Sequence, residues 1–144
     1  MAQKEQNFAN HGRIDPSFHI FLFGVGLILL IATVIELVRH PDWLAIVRVI
    51  GVVWALVLMF KVRLYALKVQ DRVIRLEERL RLEKLLPDSL KPKIEDLSEA
   101  QLIALRFASD KELPGLVEKT LAGNWDQKQI KQSIQLWRPD YWRV

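Results

Sequence analysis

Two apolar runs, separated by a short polar break, dominate the hydrophobic pattern of this chain. From Ser17 to Ile35, nineteen residues pass without Asp, Glu, Lys or Arg. As a helix they reach about 28 Å, close to the hydrocarbon thickness of a bilayer. The second run, Trp43 to Phe60, has eighteen residues and a single charge, Arg48, shallow enough for its long side chain to snorkel to an interface. Arg39-His40-Pro41-Asp42 joins them. So short a connection joins antiparallel neighbours, and Pro41 supplies the break. The pattern predicts a hairpin of two transmembrane helices over 17–38 and 43–67, a polar N-terminal segment over 1–16 and a short outer loop over 39–42.

Past the second run the period changes. Val62, Ala66, Val69, Val73, Leu76 and Leu80 are spaced 4-3-4-3-4, and no proline occurs from Trp43 until Pro87. The second helix is therefore expected to run on to about 65 Å in total. Residues 68–86 form its basic, amphipathic, coiled-coil-like part, with Asp71/Arg75, Glu77/Arg81 and Arg79/Glu83 as i,i+4 pairs. Its apolar stripe has two physical fates. It is buried against a copy of itself or the C-terminal helices, or the helix bends and lies on an anionic membrane surface.

From Pro87 onward, cap signals cut the chain into short helices, predicting a small helical bundle over 87–144. Asp88 opens a brief turn, limited by Pro92. Ser98–Gln101 and Ser109–Glu112 have the spacing of capping boxes. The helices they open turn Leu102, Leu105 and Phe107, then Leu113, Leu116, Val117 and Leu121, inward, the second closing near Gly123. Asp126 or Asn124 caps a third, with Ile130, Ile134 and Trp137 at i, i+4, i+7. Such a bundle alone is marginal, since a short chain buries little surface. The aromatic C-terminus, Trp137, Tyr141 and Trp142, either completes the bundle core or anchors the tail in a partner groove or at a lipid interface.

Charge sharpens this outline. The chain of 144 residues has net charge +4, and regional counts place the entire excess in residues 61–86, with eight Lys/Arg against four Asp/Glu. Directly after an apolar run, such charge points to anionic lipid head groups, with Lys61, Arg63, Lys68 and Arg72 as the contacts. Lys4, Arg13, Lys61, Arg63, Lys68 and Arg72 outnumber Arg39 and Arg48 on the loop side, which predicts both termini in the cytoplasm. Glu36 and Arg48 both fall on the loop side and are candidates for an intramembrane charge pair, or for a proton or substrate site. Gly24 and Gly26, with Gly51 opposite, would allow close helix contact. About seventeen polar or mixed residues precede the first run, so it is expected to stay in the mature protein rather than serve as a signal peptide.

There is no cysteine, which removes disulfides, thiol catalysis and Cys-ligated metal. The histidines are His11, His19 and His40, and no Ser–His–Asp arrangement, phosphate loop or metal motif surrounds them. No catalytic residue, cofactor, metal site or small-molecule substrate is expected. A helix-turn-helix using Lys128, Lys131, Gln132 and Gln135 is conceivable, but the segment 87–144 is electrically neutral, which disfavours nucleic acid.

Gln6–His11 (QNFANH), Ala66–Arg81 (ALKVQDRVIRLEERLR), Ala104–Asp110 (ALRFASD) and Ile130–Ile134 (IKQSI) followed by Trp137-Arg138 together resemble an uncharacterised family of small bacterial two-pass membrane proteins, a domain of unknown function. The resemblance covers nearly the whole chain, and Lys68–Arg81 is its most specific element. It implies bacterial origin and two-pass topology, and transfers no catalytic residues. The expected protein is all-α: a transmembrane hairpin, a second helix extended into the cytoplasm, and a small C-terminal helical bundle. Its expected role is non-enzymatic, as an accessory, scaffold or assembly subunit of a bacterial inner-membrane complex, or a homo-oligomer. The alternative is a membrane-tethered cytoplasmic regulator that binds nucleic acid or a soluble protein through its C-terminal domain.

Overall fold

The computed structural model describes residues 5–10, 12 and 14–140 of the chain, and these are all-α. They fall into two compact units, Arg13–Leu67 and Met1–Gly12 with Lys68–Arg143. Lys4, His11, Arg13, Tyr141 and Trp142 lie outside the described residues.

The first unit is a helical hairpin. Asp15 accepts the backbone N–H groups of Ser17 and Phe18 at 3.0 and 3.4 Å, satisfying donors that a helix start leaves orphaned. The run Ser17–Arg39 opens with a π-helical turn, Ser17–Leu22, and continues as α1, Phe23–Arg39. Asp42 then caps α2 (Trp43–Leu85), its carboxylate accepting the N–H of Ala45 at 2.6 Å. Both helices are long and apolar enough to cross a membrane. Their large side chains face outward: Ile20, Ile28, Val38, Trp43, Ile50 and Trp54 are all exposed. Gly26 is where the hairpin closes. A Cβ built there would lie 2.5 Å from Cδ2 of Leu56, whereas one at Gly24 or Gly51 would meet nothing within 4 Å. The close approach is therefore Gly26 against Leu56, and not glycine against glycine. Phe60 packs edge-on against Phe18 and Phe23 at 6.0 and 5.9 Å between centroids.

In the second unit, the C-terminal half of α2 carries a small helical domain. A 3-10 turn, Lys91–Asp96, leads to α3 (Glu99–Leu105), α4 (Leu113–Gly123) and α5 (Gln127–Ser133). The Ser98–Gln101 and Asp126–Gln129 capping boxes both form. Only half of the Ser109–Glu112 pattern does. The Ser109 N–H donates to the Glu112 carboxylate at 3.2 Å, and α4 starts later, at Leu113. Asn124, with φ of 45°, closes α4 in the left-handed conformation that its short polar side chain tolerates. Gly123 lies beneath the Trp125 indole, where a Cβ would meet Nε1 at 2.6 Å.

The expected third helix is shorter than its apolar spacing implied. α5 stops at Ser133, and Ile134 is extended. The reason is competition for backbone donors: Glu112 accepts the N–H groups of both Gln135 and Leu136 at 3.2 Å. The chain then pairs Trp137 with Ala108 in an isolated antiparallel bridge, Ser109 N–H to Leu136 at 3.0 Å and Arg138 N–H to Phe107 at 2.7 Å. Phe107, Leu102, Leu105, Leu113, Val117 and Ile130 form the buried centre, with Leu82 and Leu86 of the α2 side against them.

Candidate functional site

The polar contacts among the described residues gather on α2 and the groups that meet it. Two stripes run along its C-terminal half. Ile74, Glu78 and Leu82, continued by Leu86 just past the helix end, are buried, with Leu82 and Leu86 in the core of the helical domain. Val69, Val73, Leu76 and Leu80 are exposed. At 100° per residue the stripes lie about 170° apart, on opposite faces of the helix. The C-terminal helices therefore do not cover the 4-3 stripe; they sit on the other side. Val62, earlier on the same stripe, is also exposed, and Ala66 is half-buried.

The covered stripe is unusual in having a carboxylate at its centre. Glu78 is 4% exposed. It accepts hydrogen bonds from Arg81 at 3.0 Å and Arg138 at 3.4 Å. Burial raises its pKa above the ordinary carboxylate value, because desolvation outweighs the opposing pull of the two guanidinium groups. Arg81 reaches further, to the Asp110 carboxylate at 2.6 Å and the Ala108 carbonyl at 2.7 Å. Arg75 pairs with Glu99, and Arg79 approaches Glu95 at 4.0 Å. Of the three expected i,i+4 ion pairs, none is what these arginines do: Arg75, Arg79 and Arg81 reach out to acids of the helical domain. Three of the eight basic side chains of residues 61–86 thus serve to attach the helical domain.

The other basic residues divide. Lys61, Lys68 and Arg72 are exposed. Arg63 is turned inward, with its guanidinium 5.0 Å from the Phe18 ring and 3.5 Å from Asp15. Glu36 and Arg48 form an ion pair near the hairpin loop, each side chain about two-fifths exposed at 43% and 38%. Trp137 lies on the core, its ring 5.0 Å from that of Phe107. Beside it, Arg106 stacks 4.4 Å from Phe107 and forms an ion pair with Asp140 at 3.1 Å. Sequence reasoning missed the clasp that follows. The Gln6 amide donates to the carbonyl of Asp140 at 3.2 Å and accepts its N–H at 2.9 Å. No local pattern signals a contact across so many residues.

An open groove of about 680 Å³ runs past Arg81, Lys84, Lys111 and Arg138, with Ser109, Asp110, Leu85 and Leu136 completing its lining. Four cations against one carboxylate make it electropositive. Among the described residues no group of three or more His, Asp or Glu side chains is arranged to hold a metal ion.

No curated protein and no solved structure matches the chain. A family model matches the chain over residues 1–144. The chain belongs to DUF6526, a family of unknown function.

Proposed function

We propose that this chain is a two-pass protein of the bacterial inner membrane, with spans over 17–38 and 43–67 and both termini in the cytoplasm. It acts by contact rather than catalysis, as an accessory, scaffold or assembly subunit of a membrane complex or as a homo-oligomer. The observation that carries this reading is the apolar surface of the hairpin. None of the apolar window of Ser17–Arg39 is buried, and only 6% of that in α2. A core helix of a water-soluble protein hides such a surface; this one needs hydrocarbon around it. Two further features support the topology. Lys and Arg concentrate on the side of the termini. The Gln6–Asp140 clasp supports a common compartment for these two segments. The exposed stripe of α2 supports action by contact, because an apolar face that the chain's own domain leaves wet is a binding surface.

The test uses the absence of cysteine. In intact cells, His40→Cys should react with a membrane-impermeant maleimide while Lys128→Cys should react only after lysis, and both variants should stay in the pellet through alkaline carbonate. Release by carbonate sinks the reading. A second reading, a membrane-tethered regulator of an anionic soluble partner, draws on the electropositive groove at Arg81, Lys84, Lys111 and Arg138. Salt-dependent binding of a DNA duplex to the full chain would favour its nucleic-acid form, and no binding at low salt removes that form.

A further inference from the structure

We propose that α2 pairs with α2 of a second copy of this chain, parallel and in register, through Val62, Val69, Val73, Leu76 and Leu80. The proposal rests on the membrane reading above and names the partner. The stripe stays 49–65% exposed at Val69, Val73, Leu76 and Leu80 while the chain's own domain occupies the opposite face. A second helix can therefore approach without displacing anything. The 4-3 alternation repeats positions every seven residues (62, 69, 76 and 66, 73, 80), the repeat of a left-handed two-helix supercoil, whereas the stripe covered by the chain's own domain steps by four. Taking Ala66, Val73 and Leu80 as the a positions puts Val62, Val69 and Leu76 at d, and in the central heptad Val73 at a beside Leu76 at d is a pairing that suits two strands.

Charge decides the orientation. In this register Arg72 and Arg79 occupy g, and Glu77 occupies e, and both Arg72 and Glu77 are exposed. In a parallel pair Arg72 faces Glu77 of the second copy, five residues on, and the two-fold axis repeats the contact. An antiparallel pair instead brings g against g, arginine against arginine. Arg79 would meet Lys84 in the parallel arrangement, but Glu95 of its own domain holds it. The seam ends there, because the next d position is Glu83. Residues 62–80 make about 27 Å of helix, short for an isolated coiled coil in water. Two copies inserted in one bilayer with the same orientation meet at high effective concentration, which lowers that requirement.

The experiment uses the full chain reconstituted in liposomes. Leu76→Cys should form a disulfide-linked dimer under mild oxidation, while Lys68→Cys, on the same helix but off the seam, should not. By fluorescence transfer between labelled copies, Glu77→Arg should weaken pairing roughly fivefold, from loss of two symmetric pairs, and Arg72→Glu with Glu77→Arg should restore it. Equal cross-linking at both positions, or a chain that stays monomeric and leaves the stripe to a different protein, overturns the proposal. So does quenching of a probe on Leu76→Cys by spin-labelled lipid, which would put the stripe on the bilayer surface. In each of these results the chain still resists carbonate extraction, and the membrane reading stands; loss of membrane retention sinks both.

Discussion

At Gly26 the distance between α1 and α2 is set by a missing side chain. A Cβ there meets only the flexible end of Leu56, so Gly26→Ala should cost little, as Leu56 changes rotamer. Gly26→Leu has no such escape and should destabilise the hairpin by about 1–3 kcal/mol, read by denaturant titration in micelles. Gly51→Ala, in open space, should be neutral or gain up to about 1 kcal/mol from helix propensity. Glu78 gives a second prediction at this scale. Its unfolded value is near 4.5, and burial places its folded value higher. The folded unit therefore keeps a proton that the unfolded chain has already released. The stabilisation is complete below pH 4.5 and is lost as pH rises through the folded value. Glu78→Gln should remove this slope, so that the difference in stability between variant and parent grows in the variant's favour from pH 4.5 towards 7, measured by urea unfolding.

Within α2, two leucines six residues apart have opposite fates. Leu82 is wholly buried and Leu76 is exposed. Leu82→Ala should cost the C-terminal unit about 2–5 kcal/mol, whereas Leu76→Ala should leave its unfolding midpoint unchanged within about 0.5 kcal/mol. Circular dichroism during urea titration of the full chain distinguishes them. This contrast also marks how far the sequence could be read. The length of α2 follows from the absence of proline, and its ends from Asp42 and Pro87. The 4-3 stripe was legible as apolar. What was hidden is which face the chain itself covers, because the covered stripe reads Ile74-Glu78-Leu82-Leu86 and a carboxylate interrupts it. Local spacing likewise paired the arginines along the helix, since partners such as Glu95, Glu99 and Asp110 are distant in sequence. The end of α5 was missed for a related reason: Glu112, far upstream, takes the N–H groups that would have continued the helix.

For the molecule as a whole, the clasp between Gln6 and Asp140 and the ion pair of Asp140 with Arg106 tie the N-terminal segment to the last described residues. Gln6→Ala should leave the helical core intact and speed cleavage of the N-terminal segment by a protease added to inverted vesicles, severalfold relative to the parent chain. Unchanged cleavage would show the clasp to be without weight in solution. The partners are 134 residues apart, which has a consequence for biosynthesis. A ribosome adding about 5–20 residues per second finishes Asp140 roughly 7–27 s after Gln6. Throughout that interval Gln6 has no mate, and its segment is open to targeting factors or chaperones until Asp140 emerges to withdraw it.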